Sequence, residues 1–169
     1  MRRRTTVLAA GLFAALLAVP ASASASDSGR TITEFDTMAP VTEPFTGPAN
    51  PIRDVPGGGL PWEIDEAKGE LRSDGRLDIA VEGLVLARRA PVPAERQGTN
   101  PVPSFKAIVS CVSADAGSVT TVNLATGLVP ASSTGDARIR TKVELPATCI
   151  APVVFVTSPD GAWFAASGR

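Results

Sequence analysis

The sequence predicts an all-β protein: a single antiparallel β-sandwich, with a small β-barrel as the alternative, preceded by a proline-rich extended arm. Three observations predict it. Several runs alternate apolar and polar residues with a period of two, as strands with one buried and one wet face do. Clusters of Gly, Pro, Asn, Asp and Ser punctuate those runs. No segment keeps an apolar helical face over three turns. The stretch Glu66–Arg72 has helix formers, but Gly69 interrupts it.

The chain starts with a leader. Arg2, Arg3 and Arg4 precede an unbroken apolar run of 13 residues, Val7–Val19. Pro20 ends the run, and Ala21, Ala23 and Ala25 offer small-residue cleavage sites. These are the parts of a secretory signal peptide, assigned to residues 1–25. A transmembrane helix needs roughly 20 apolar residues, so the run is too short to span a bilayer. Thr5 and Thr6 stand where a twin-arginine signal prefers apolar residues, which favours general secretory export. Of the 16 Lys and Arg residues, three lie in this leader, leaving 13 against 17 Asp and Glu and a net charge of −4. Nucleic acid and anionic membranes need clustered cations, so neither is expected as a partner.

Residues 26–56 form the arm. Prolines 40, 44, 48, 51 and 56 punctuate it, and each removes a backbone donor and fixes φ. With few apolar residues to offset ordering entropy, the segment reads as flexible, with Ile32, Phe35 and Phe45 able to dock on the domain. Gly57, Gly58 and Gly59 read as a hinge, and residues 57–169 as the sandwich domain.

The strands follow in order. "WEIDEAKGEL" opens the set. In "RLDIAVEGLVLA", Leu77, Ile79 and Val81 share one face and Asp78, Ala80 and Glu82 the other. "SFKAIVSCV", "SVTTVNLA" and "PVVFVT" are β-branched-rich runs of strand length. In "ARIRTKVEL", Ala137, Ile139, Thr141, Val143 and Leu145 alternate with Arg138, Arg140, Lys142 and Glu144. "AWFAAS" closes the set. "RRAPVPAERQGTNPVP" reads as an exposed loop. About seven short strands in about 110 residues suit a sandwich with one core. The expected core is Trp62, Ile64, Leu77, Ile79, Val81, Leu84, Leu86, Phe105, Val109, Val122, Leu124, Ile139, Val143, Val154, Val156 and Trp163.

Two cysteines, Cys111 and Cys149, and no histidine narrow the chemistry. Outside the cytoplasm thiols pair, so one intramolecular bridge is expected between them. Structural zinc usually needs four Cys or His ligands, and a catalytic cysteine needs a base beside it. Without histidine no Ser-His-Asp or Cys-His arrangement can be built. Neither a metal nor a cofactor is expected, and no catalytic residue is assigned. The acidic stretch Glu63, Asp65, Glu66, Glu70, Asp74, Asp78 and Glu82 is the remaining catalytic option, as paired carboxylates or a calcium site. Lys68, Arg72 and Arg76 are interleaved with it, as on a solvated hairpin. Trp62 and Trp163 are core if they point inward. If they meet at an exposed edge, they form a ligand-binding patch.

The segments "GGGLPWEI", "GRLDIAVEGLVLA", "SFKAIVSCVS", "LPATCIAPVVFV" and "WFAASG" resemble a group of small secreted actinobacterial proteins of unknown function. The resemblance covers about two thirds of the chain. It implies secretion and one compact domain, and assigns no residue a role. The expected function is that of a secreted, non-enzymatic β-sandwich acting through protein or cell-envelope contacts. The alternatives are a small-ligand or carbohydrate-binding module and, third, a carboxylate-dependent hydrolase.

Overall fold

A computed structural model describes residues 29–115 and 117–167. The expected leader, residues 1–25, lies outside them. The described chain is all-β and antiparallel, with a single 3-10 turn at Ala94–Arg96.

One sheet has four strands: β1 (Thr31–Phe35), β4 (Glu66–Arg72), β5 (Arg76–Glu82) and β10 (Ala137–Lys142), in the order β1-β4-β5-β10. The other runs β2-β12-β11-β7-β8. Its members are β2 (Met38–Pro40), β12 (Trp163–Ser167), β11 (Ile150–Thr157), β7 (Ser104–Asp115) and β8 (Ser118–Ala125). The short β9 (Val129–Pro130) also pairs with β7, and β3 (Trp62–Glu63) and β6 (Val85–Leu86) form a small ribbon. The sheets stay open, so the sandwich expectation holds and the barrel alternative does not.

The two-residue alternation sets the register. Ile139 lies opposite Ile79 and Thr141 opposite Leu77, while Arg140 lies opposite Asp78. A slip of one residue would carry every apolar side chain of β10 to the wet face. Leu71, Leu77, Ile79, Val81 and Ile139 project inward from the four-stranded sheet, and Phe105, Val109, Val154 and Val156 from the other; all are buried. Together they belong to one continuous core. Trp62 joins it, stacked on Phe164 with centroids 3.8 Å apart and edge-on to Phe105 at 6.4 Å. Of the expected core, Ile64, Val122 and Leu124 are only half-buried.

The flexible arm is corrected. The segment is proline-rich and extended, as expected, but it is woven into both sheets. β1 pairs with β4, Phe35 lying opposite Gly69. Two residues later β2 pairs with β12. Phe35, Met38, Val41 and Val55 are buried. A Cβ at Gly69 would overlap the Phe35 ring and lie 2.9 Å from the Asp78 carbonyl. Gly69 therefore makes room for an aromatic from the neighbouring strand. Proline is confined to edge strands, strand starts and bulges; β1 and β2 are both edges, and Pro152 lies in the irregular stretch of β11 between Ile150 and Val153.

The hinge is corrected too. Gly57 and Gly58 are buried. The Gly58 N–H donates to the Trp163 carbonyl at 2.8 Å, and the Trp163 N–H donates to Pro56 at 2.8 Å. A Cβ at Gly58 would press on Phe164 at 3.0 Å and on Trp62 Nε1 at 3.3 Å. Residues 29–56 therefore belong to the same domain as the residues after Gly57. Between β2 and β3 the chain crosses the outer face of the larger sheet. Arg53 Nη1 donates to the Ser110 carbonyl at 3.0 Å, and Asn123 Nδ2 donates to the Arg53 carbonyl at 2.8 Å. That crossing explains why Ile108, Ser110 and Phe155, on the outer side of β7 and β11, are buried as well. The predicted exposed loop after β6 is mostly exposed but pinned at two points, Val92 and Asn100. The Asn100 side chain bonds Val102 and Ser132 at 2.8–2.9 Å.

The disulfide is formed. Cys111 and Cys149 are bonded, with Cα atoms 4.9 Å apart. Cys111 is fully buried in the middle of β7, and Cys149 immediately precedes the neighbouring β11.

Candidate functional site: a mixed-charge face on the four-stranded sheet

The outward positions of β1, β4, β5 and β10 are almost all charged. Their register makes two rows. Glu34, Glu70, Asp78 and Arg140 lie side by side across the four strands. Lys68, Ala80 and Arg138 form the next row. Ala80 is the small residue between two long cations. A shallow groove of about 590 Å³ results, walled by Glu34, Asp36, Glu70, Asp78, Lys68 and Arg138.

Three carboxylates on neighbouring strands are an electrostatic cost, because directly opposed like charges destabilise a sheet. Local partners offset part of it. Asp78 is bracketed by Arg138 at 3.1 Å and Arg140 at 3.0 Å. Glu70 pairs with Arg72 at 3.4 Å and accepts a hydrogen bond from Thr31 Oγ1. Glu34 and Asp36 have no ion-pair partner among the described residues. The N-terminal wall of the groove is thus its uncompensated acidic side. These pairs are solvated, so each contributes at most about 1 kcal/mol to stability.

Of the other acidic residues singled out in the sequence, Asp74 fastens a turn and Glu63 ties β3 to the chain after β6. Asp74 accepts from the Arg76 N–H at 3.1 Å and pairs with the Arg76 guanidinium at 2.8 Å. The Arg76 N–H, then the Gly29 N–H and the charge of Arg76, hold its carboxyl below the usual range against an opposing desolvation. Glu63 accepts from the Arg88 N–H at 3.1 Å and pairs with the Arg88 guanidinium. Asp136, which the sequence did not single out, accepts from the Gly83 N–H at 3.0 Å, Thr134 Oγ1 at 2.8 Å and Ser132 Oγ at 3.0 Å. The Gly83 N–H, foremost, lowers its pKa. Among the described residues no three His, Cys, Asp or Glu side chains gather as a metal-binding group.

Compared with known proteins, the chain matches no family model, no curated protein and no solved structure. The reading of this face rests on its own residues.

The tryptophan patch is corrected. Trp62 and Trp163 are each 3% exposed. A bulge in β12 sends Phe164 to the inner face beside Trp62 and Trp163 to the outer face. There Trp163 packs against Phe155 at 6.1 Å, and its backbone pairs with Pro56 and Gly58. The two indoles face opposite sides of one sheet and make no common surface. Among the described residues, Trp163 Nε1 and Ser110 Oγ are buried without a hydrogen-bond partner.

Glu34 and Asp36 were missed because they lie in the segment set aside as an arm. One signal could have found them: "TITEF" alternates with a period of two, as the accepted strands do.

Proposed function

We propose that this is an exported, non-enzymatic β-sandwich that acts through contacts with a protein or a component of the cell envelope. The mixed-charge face of the four-stranded sheet is its contact surface. The observation that carries this reading is the row Glu34–Glu70–Asp78 at an open groove, with Glu34 and Asp36 left without cations. A like-charge row weakens the free protein, and a partner's cations would relieve it. The leader and the disulfide support export, since disulfides persist in oxidising compartments. No helix among the described residues is long and apolar enough to cross a membrane. The small-ligand alternative is less well supported, because such sites enclose most of their ligand, whereas this groove is open to solvent along the sheet face. The carbohydrate alternative loses its aromatic platform with the burial of both tryptophans.

The test uses the labelled mature protein and washed envelope material from the source organism. Binding is expected, weakening as salt rises, because exposed charges are screened within about 10 Å at 0.1 M. Reversing Glu34→Lys and Asp36→Lys together should lower the bound fraction several-fold while the melting temperature stays within a few degrees. Binding that the double reversal leaves unchanged would remove this face from the proposal. Enzymatic turnover by the purified protein would overturn the non-enzymatic reading.

A further inference from the structure

We propose that β8 is a self-pairing edge, through which two copies of this chain join the larger sheets of their sandwiches into one. This inference does not depend on the envelope-contact reading, since it concerns the other sheet. Among the described residues, β8 is the last strand of its sheet and pairs only with β7. Unpaired edges are templates for further strands, and proteins blunt them with charge, proline or brevity. The other three edges carry such devices. β1 holds Glu34 and is followed by Asp36. β2 is three residues long and ends in Pro40. β10 holds Arg138, Arg140 and Lys142. β8 has none of them: its eight residues, SVTTVNLA, include no charge and no proline.

The register shows which backbone groups are available. Asp115 and Ser118 face each other across the two-residue turn, so they exchange both hydrogen bonds. Counting along the ladder, Thr120 and Val122 bond to β7, while Val119, Thr121 and Asn123 point their N–H and C=O groups away from it. The first four residues, Ser118–Thr121, are exposed. Val119 is 72% exposed, and Ile150, in register with Val112 and Thr121 on the same face, is 50% exposed. The free edge therefore adjoins uncovered apolar side chains.

Charge and symmetry select a second copy as the occupant. Antiparallel self-pairing about Thr121 sets Thr121 opposite its own copy, Val119 opposite Asn123 and Thr120 opposite Val122. Thr–Thr is a favourable cross-strand pair, and no pair opposes like charges. Each pair joins residues of the same parity, so a two-fold axis normal to the sheet keeps both cores on one side. The same operation on β10 about Arg140 would set Arg138 against Lys142.

Sedimentation of the mature protein from about 1 to 200 µM tests this. The wild type should form a dimer whose fraction rises with concentration, and the amides of Val119 and Thr121 should gain exchange protection as it does. Thr121→Lys should weaken association at least about tenfold, by the device natural edges use, and leave the melting temperature of the monomer within a few degrees. Thr121→Pro should do the same, since this N–H is not used by β7; if that variant does not fold, Thr121→Lys decides. A wild type that stays monomeric over the whole range overturns the proposal, as does a dimer that Thr121→Lys leaves intact. Protection of Val119 and Thr121 in a monomer only when culture supernatant is added would assign the edge to a foreign strand, and would equally overturn self-pairing.

Discussion

Cys149→Ser is expected to lower the melting temperature by about 10–20 °C, or to abolish accumulation of folded protein. The bridge joins residues 38 apart, spanning β8, β9 and β10 with their loops. The chain-entropy model gives roughly 4 kcal/mol for a loop of that size. Each kcal/mol shifts the melting temperature by about 4–8 °C in small domains and about 2–4 °C in larger ones. The substitution also leaves the Cys111 thiol in a fully buried site, without its covalent partner. Circular-dichroism melts of the two purified proteins measure the effect. Free-thiol titration of the wild type should find none, and mass spectrometry should place the link within one chain. A variant that melts within about 3 °C of the wild type would show that the fold does not depend on this cross-link.

Phe35→Ala is expected to cost about 3–5 kcal/mol, the usual range for a buried phenylalanine. Against a total stability of about 5–15 kcal/mol, that is a large fraction. The ring is 6% exposed and covers Gly69, which has no side chain of its own to fill the space. Its removal therefore opens a void that β4 cannot close. It also loosens β1, the strand that carries Glu34. Urea unfolding of the mature protein gives the free-energy difference. A loss below about 1 kcal/mol would mean that β1 is a passive addition to the sheet.

Much of the fold was legible because strand periodicity and burial agree. β5 and β10 alternate so regularly that their inward and outward faces follow from the sequence alone. The cysteine pairing followed from two thiols, the expectation of export and the absence of histidine. What escaped has physical reasons. β7 and β11 read as near-continuous apolar runs, which is how strands covered on both faces look. The covering element was the very segment set aside for its prolines. The sequence cannot show that Pro40 ends an edge strand, or that Pro56 and Gly58 bracket a buried indole. Val122 and Leu124 alternate correctly but lie on the last strand, where only half of each is covered. Ile64 sits in the break between β3 and β4, where one expected strand became two. Glu66, Glu70, Asp74, Asp78 and Glu82 of the acidic stretch lie on the β4–β5 hairpin. The row it makes with Glu34 required β1 to be placed beside β4, a long-range pairing that no local pattern contains.

Hydrogen exchange of the purified protein tests most directly whether the N-terminal segment is built into the sandwich and so forms one wall of the groove. Amides across Thr31–Val41 that bond to β4 and β12 should exchange slowly, in the same class as those of β7. The Val41 N–H, which donates to the Phe164 carbonyl at 2.8 Å, should be among the protected ones. Exchange of the whole segment at the rate of an unfolded chain, with β7 still protected, would contradict this structure of the domain and leave the groove without its acidic wall.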